Sequence, residues 1–279
     1  MPPQSTRTLN DKQITSMKLA IIGAGNMGGA VARGLATGSV IKANEIYVSD
    51  HSQQILDGIA ADVPAAHTST DNLATATDAN IVIVAVKPWL VQPVMEEIYP
   101  ALHKSNPLII CIAAGITFEM LDKMLAGEKF QIVRVIPNTA IAIKQSPTLM
   151  SFNANVEEAN QTLAKAMFDE LGQAIVIEER LMAAGTAVTS CGIAYAFEYI
   201  KAAMQAAIEL GFYPHVAKSM IDQTVLGAVA LLEHNGTNPD TEIYKVCTPG
   251  GITIKGLNEM TKEGFDHAVI AGLMKAAGK

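Results

Sequence analysis

Apolar and polar positions fall into two textures along this chain. Through residue 178, short unbroken apolar runs alternate with stretches of helical period. The runs at residues 18–22, 45–49, 81–86, 108–112 and 131–136 each predict a strand. Their continuous apolar character suits a parallel sheet covered on both faces. Amphipathic stretches at 27–37, 52–61, 89–101 and 118–125 predict the intervening helices. Such alternation implies right-handed crossovers and an open α/β sheet. Residues 148–152 and 174–177 add two edge strands around a helix at 156–171.

Beyond residue 178 the strand signal disappears. Residues 181–211 and 215–234 read as long helices rich in alanine, with Gly211 closing the first and Pro214 opening the second. Both are apolar over more than one face, which a helical domain of this size cannot cover alone. Subunit contact is the expected cover, in a homodimer or a larger oligomer built from dimers. Residues 1–16 are polar and read as a loose leader without the apolar core of a signal peptide.

The run Leu19-Ala20-Ile21-Ile22 leads straight into Gly23-Ala24-Gly25-Asn26-Met27-Gly28. This is a strand, a G-x-G-x-x-G turn and a helix start. Gly23 permits the tight turn, Gly25 lets backbone approach a pyrophosphate, and Gly28 lets helix and strand pack closely. The expected fold is therefore α/β, with a Rossmann-like dinucleotide-binding domain at 17–178. A C-terminal all-helical domain is expected at 179–279, with dimerisation covering its helices. At the end of the second predicted strand, Asp50 either accepts from the adenosine ribose hydroxyls, which favours NAD, or caps the helix near Ser52. Ser49 and Ser52 offer hydroxyls to a phosphate and no arginine is nearby, so NADPH and NADH both stay open. Ala85-Val86-Lys87-Pro88, Ala113-Ala114-Gly115 and Pro137-Asn138-Thr139 end further strands at the same sheet edge, with small residues that leave room for a nicotinamide ring. Lys87 and Pro88 taken singly are an ordinary strand-end lysine and a helix-start proline.

Near the C-terminus, Thr248-Pro249-Gly250-Gly251-Ile252-Thr253 reads as a turn entering a helix that runs to about Thr261. Paired glycines let backbone N–H groups converge at a helix start, forming a carboxylate receptor that needs no arginine. The plainer alternative is a loop capped by Thr248 or Thr253.

Composition narrows the classes. Of 279 residues, 49% are hydrophobic and 17% charged, with a net charge of −7. Disorder is excluded, and the acidic balance argues against nucleic acid and anionic membranes. No apolar run approaches a membrane span. Three distant cysteines without a CxxC pair favour a reducing compartment, hence the cytoplasm. Six scattered histidines offer no metal-ligand spacing, so no metal is expected.

The ensemble resembles the pyrroline-5-carboxylate reductase family. The residues carrying the likeness are I-G-A-G-N-M-G from Ile22, A-V-K-P from Ala85, A-A-G-I from Ala113 and V-I-P-N-T from Val135. They continue with G-I-A-Y-A-F from Gly192, D-Q-T-V-L-G-A from Asp222, T-P-G-G-I-T-I from Thr248 and E-G-F from Glu263. The resemblance implies NADPH- or NADH-dependent hydride transfer to the C=N carbon of a cyclic imino acid, giving proline. It maps cofactor contacts onto Ala24, Asn26, Met27, Ser49, Asn72, Val86, Lys87 and Ala114. Thr248, Gly251, Ile252 and Thr253 would hold the substrate carboxylate, with Gly250 in the same turn and the catalytic Thr253 hydroxyl near the ring nitrogen. Cys191, Ile193, Lys201 and Ile252 depart from the usual pattern, leaving altered substrate preference open. Two other readings compete. One is a β-hydroxyacid-dehydrogenase-like or other imine reductase with Lys201 as proton donor; the other is a non-catalytic cofactor-binding scaffold.

Overall fold

The computed structural model describes residues 17–279; the leader expected at 1–16 lies outside them. The chain runs β1 (Leu19–Ile22), α1 (Asn26–Ala36), β2 (Ile46–Ser49), α2 (Gln53–Asp62), β3 (His67–Ser69), α3 (Asn72–Ala76) and β4 (Ile81–Val84). It continues with α4 (Val91–Ser105), β5 (Leu108–Cys111), α5 (Phe118–Met124), β6 (Ile132–Ile136), β7 (Ser146–Phe152), α6 (Glu158–Asp169) and β8 (Gly172–Val176). All eight strands form one sheet in the order β3-β2-β1-β4-β5-β6-β7-β8, parallel except where β7 pairs with β6.

Alternation along β1 shows why the runs are apolar throughout. Leu19 and Ile21 enter a core formed with Val31 and Leu35 of α1, Leu56 and Ile59 of α2, and Met167 and Phe168 of α6. Ala20 and Ile22 face the opposite core, with Val91, Met95, Ile98 and Leu102 of α4 and Leu121 of α5. Each strand residue buries its side chain on one face or the other, so period two carries no polar signal. All seven predicted strands are present. The sequence reading missed β3, whose three residues His-Thr-Ser are partly exposed at the sheet edge. It also began α4 too early: Pro88–Leu90 is a single 3-10 turn, and Trp89 stands 73% exposed.

The stretch expected as one helix from residue 181 is broken. A 3-10 turn (Glu179–Leu181) leads into α7 (Met182–Thr186) and then a π-helical turn (Ala187–Cys191), before α8 (Gly192–Glu209) begins. Met182 is buried with Ile136 and Leu149, so α7 packs on the sheet. The chain accordingly divides into compact units between Thr189 and Ser190, inside the π turn. The second unit contains α8, α9 (Pro214–Asn235), α10 (Pro239–Val246), α11 (Ile252–Lys262) and α12 (Phe265–Ala276). Tyr199 of α8 meets Phe265 of α12 edge to face at 6.4 Å. Among its described residues only Ala207 and Ala217 are fully buried, while Phe197, Leu210, Tyr213, Leu226, Tyr244 and Ile270 are exposed. These helices have faces but no core of their own. Among the described residues, no helix is long and apolar enough to cross a membrane.

One ion pair binds the sheet to the chain that leaves it. Arg134 of β6 is 6% exposed, and its guanidinium donates to Glu179 Oε1 at 2.8 Å. The same oxygen accepts from the Phe118 N–H at 2.7 Å, at the start of α5. Glu179→Ala is expected to lower stability by about 2–4 kcal/mol, since it strands a buried guanidinium. Adding Arg134→Met should restore at least half of the loss, as read by urea denaturation. An equal or larger loss in the double variant refutes this account.

Candidate functional site

The order β3-β2-β1-β4-β5-β6 reverses direction beside β1, so the carboxyl ends of β1 and β4 open the crevice where such sheets bind ligands. The Gly23–Gly28 turn fills its mouth. Gly23 has φ of +96°, and a Cβ there would lie 2.8 Å from Val86 Cγ1 and 2.9 Å from the Ala85 carbonyl oxygen. A Cβ on Gly28 would press the Gly23 carbonyl and sit 2.8 Å from Ala85 Cβ. Gly25 is different: it has an ordinary extended backbone at the N-cap of α1, is exposed, and has open space where its Cβ would stand. No side chain caps α1, so its first N–H groups face that space. A closed turn with one open, uncapped side fits an anionic pyrophosphate.

Asp50 is buried at 8% exposure and does not present its carboxylate to this space. Oδ2 accepts from the Ala24 N–H at 2.8 Å, and Oδ1 accepts from the Ser52 N–H at 2.9 Å. Both oxygens accept from backbone N–H groups, so Asp50 braces the turn. Ser49 is wholly buried and its hydroxyl donates to Asn72 Oδ1 at 2.8 Å. Asn72 in turn donates through Nδ2 to Glu97 of α4 at 2.8 Å. The predicted Ser49 and Asn72 are thus brought together, oriented by a glutamate that no motif marked. Ala85 and Val86 line the turn, while Lys87, Asn26 and Ala114 are exposed at the same edge and Met27 and Pro88 are half-buried. Lys87 has no ion pair among the described residues. Cys111, at the end of β5, is buried, and burial pushes its thiol pKa up, which keeps it protonated and inert. Asn138 is also buried: it accepts from the Ala140 N–H and donates to the Thr189 carbonyl, so it secures the π turn.

The other predicted set, residues 248–253, belongs to the second unit. Gly250 has φ of +70°, and Gly251 is the N-cap of α11 with no capping side chain. A Cβ on Gly251 would overlap the Thr248 hydroxyl. Ile252 is 88% exposed and Thr253 half-buried. The plainer reading, a threonine-capped loop, is not what forms: neither Thr248 nor Thr253 caps the helix. Lys201, the rival proton donor, lies on α8 in a surface pair with Glu198 at 2.6 Å. No group of three or more metal-ligating side chains occurs among the described residues.

A glycine turn at the switch point of this sheet defines a dinucleotide-binding protein of the Rossmann class. Residues 18–115 match the family model described as NADP oxidoreductase coenzyme F420-dependent, and residues 179–279 match that of pyrroline-5-carboxylate reductase dimerisation. Pyrroline-5-carboxylate reductase 1 of Dictyostelium discoideum is 32% identical over 94% of this chain, which spans 49% of that relative. The reductase of Aquifex aeolicus is 32% identical, covering 95% of this chain and 97% of its own length. The crystal structure of a Plasmodium falciparum pyrroline carboxylate reductase with NADP bound superposes with a TM-score of 0.85 at 27% identity, covering 95% of this chain and 97% of that one. The chain belongs to the pyrroline-5-carboxylate reductase family.

The two glycines should separate folding from binding. Gly25→Ala is expected to leave the melting temperature within about 2 °C and weaken binding of both NADPH and NADH at least about tenfold, since its methyl enters the open space. Gly28→Ala should instead destabilise the fold by several kcal/mol, on the order of an overpacked core. Equal melting losses in the two would contradict the geometry. Asp50→Ala should weaken binding of both NADPH and NADH, because it frees two backbone N–H groups rather than a ribose contact. A selective gain in NADPH use would show that the carboxylate faces the cofactor after all.

Proposed function

We propose that this chain reduces 1-pyrroline-5-carboxylate to proline, using NADPH or NADH. The observation that carries the reading is the Gly250–Gly251 turn: an uncapped helix start, without arginine, in a chain that also has the dinucleotide crevice. When bound, the reduced nicotinamide supplies a hydride to the C=N carbon. The crevice fits the cofactor, since the space beside Gly25 is open and the turn around Gly23 and Gly28 is closed.

The chain's own work is binding and orientation. Gly25, Asn26, Met27 and Gly28 offer backbone N–H groups to the pyrophosphate, while Gly23 and Ala24 shape the turn with their own N–H groups held by the Ser49 carbonyl and by Asp50. Asn72, Ala85, Val86, Lys87 and Pro88 line the adenosine and ribose side, and the buried Ser49 orients Asn72 from behind. Ala114, exposed and small, leaves room for the nicotinamide ring. Thr248, Gly250, Gly251 and Ile252 hold the substrate carboxylate at the start of α11, where the helix dipole favours an anion. The hydroxyl of Thr253 holds the ring nitrogen and relays its proton. A protonated imine is already electrophilic, so orientation does most of what the reaction needs.

Residues 179–279 form the substrate and dimerisation domain in this reading. Their exposed apolar helix faces support a homodimer or a larger oligomer built from dimers. Three unpaired cysteines suit the cytoplasm.

Purified protein is expected to oxidise NADPH or NADH only when pyrroline-5-carboxylate is supplied, with proline as product. Absence of turnover with both cofactors refutes the proposal. Thr253→Ala should lower kcat/KM about ten- to a hundredfold, the loss of one hydrogen bond to a charged group. Thr253→Ser should lose less, because the hydroxyl survives. A kinetically normal Thr253→Ala with unchanged melting would leave the proton to solvent.

A further inference from the structure

With Asp50 turned inward, the next residue at the end of β2 is the exposed one. His51 follows Asp50 directly and its side chain is 93% exposed. Its Nδ1 stands 3.2 Å from Asp50 Oδ1. A ring nitrogen beside a carboxylate keeps its hydrogen, so Nε2, on the far side of the ring, is the atom left for a ligand. Ser52 adds a hydroxyl with no capping bond at the start of α2. This is the place where the substituent on the 2′ carbon of an adenosine ribose lies in sheets of this order.

We propose that His51 reads that 2′ substituent, and that its protonation sets the choice between the two nicotinamide cofactors. This rests on the dinucleotide reading given above. A neutral ring offers Nε2 as an acceptor, which suits the 2′-hydroxyl of NADH. A protonated ring offers an N–H donor and a positive charge, which suits the 2′-phosphate of NADPH. Asp50 supports both forms through Nδ1 and is itself fixed by the Ala24 and Ser52 N–H groups. Lys87, exposed at the crevice edge without an ion pair among the described residues, is a cation that wild type and variants share; the other charges on neighbouring elements have partners of their own. Arg33 of α1 pairs with Asp62 of α2, Asp57 of α2 accepts from Gln53, and Asp71 caps α3. Glu97 of α4 holds Asn72. The ring and Asp50 form the switch.

The test measures dissociation constants for NADPH and NADH by calorimetry on the full chain, at about pH 5.5 and about pH 8. The wild-type preference for NADPH over NADH should rise about tenfold on acidification, the scale of one charge-assisted hydrogen bond. In His51→Gln the same ratio should move by less than about threefold, from the titration of the 2′-phosphate itself. His51→Arg, always charged, should hold a high NADPH preference at both pH values. A ratio that moves in parallel in wild type and His51→Gln overturns the proposal while leaving the dinucleotide reading intact. Failure of the wild type to bind either cofactor overturns both.

Discussion

β1, α1 and the chain leaving β4 meet with less space between them than a methyl group requires. Any side chain at Gly23 or Gly28 would press on Ala85, Val86 or the turn's own carbonyl. That contact sets the angle at which α1 leaves the sheet and so decides where its free N–H groups point. It also brings Ala24 within reach of Asp50, whose carboxylate then links the first crossover to the β2–α2 turn. The crevice is thus made by backbone approach, with one buried carboxylate as its brace. A brace of this kind has high stakes, because two buried N–H groups depend on it.

The second unit obeys the opposite constraint. Its helices expose Phe197, Leu210, Tyr213 and Tyr244, and bury little beyond Ala207 and Ala217. Stability from burial scales with apolar area removed from water, and such helices remove too little by themselves. A second copy supplies the missing surface in the proposed homodimer. The proposed substrate turn stands on this unit, so in that reading the order of the carboxylate receptor depends on an assembly that covers these helices.

The sheet was legible because its strands are buried on both faces and its glycine turn follows a strand directly. The short β3 was not, since a three-residue polar strand lacks any apolar signal. The interruption at residues 187–191 was equally hidden: Ala, Val, Thr, Ser and Cys all fit a helix, and the π turn arises where α7 packs on β7 while Asn138 holds the Thr189 carbonyl. At the site, glycine positions carried their meaning in sequence because only geometry gives glycine a purpose. Asp50 did not, because an acidic residue at that position looks the same whether its carboxylate faces a ribose or a backbone N–H. Glu97 and Glu179 act through partners far away in sequence, which no local motif encodes.

Both anionic ends of the proposed reaction meet backbone N–H groups at uncapped helix starts, one at α1 and one at α11. Backbone donors do not titrate and cannot swing away, so pyrophosphate and carboxylate recognition changes little with pH. Fixed dipoles also hold an anion without adding a mobile cation that would compete with a protonated imine for the same carboxylate. Titratable chemistry is then confined to the periphery of the cofactor crevice, where His51 and Lys87 are exposed. In the proposed reaction the reacting centre is left to orientation, with the Thr253 hydroxyl at the nitrogen. A charge-poor centre of this kind suits a hydride acceptor that arrives already activated by its own proton.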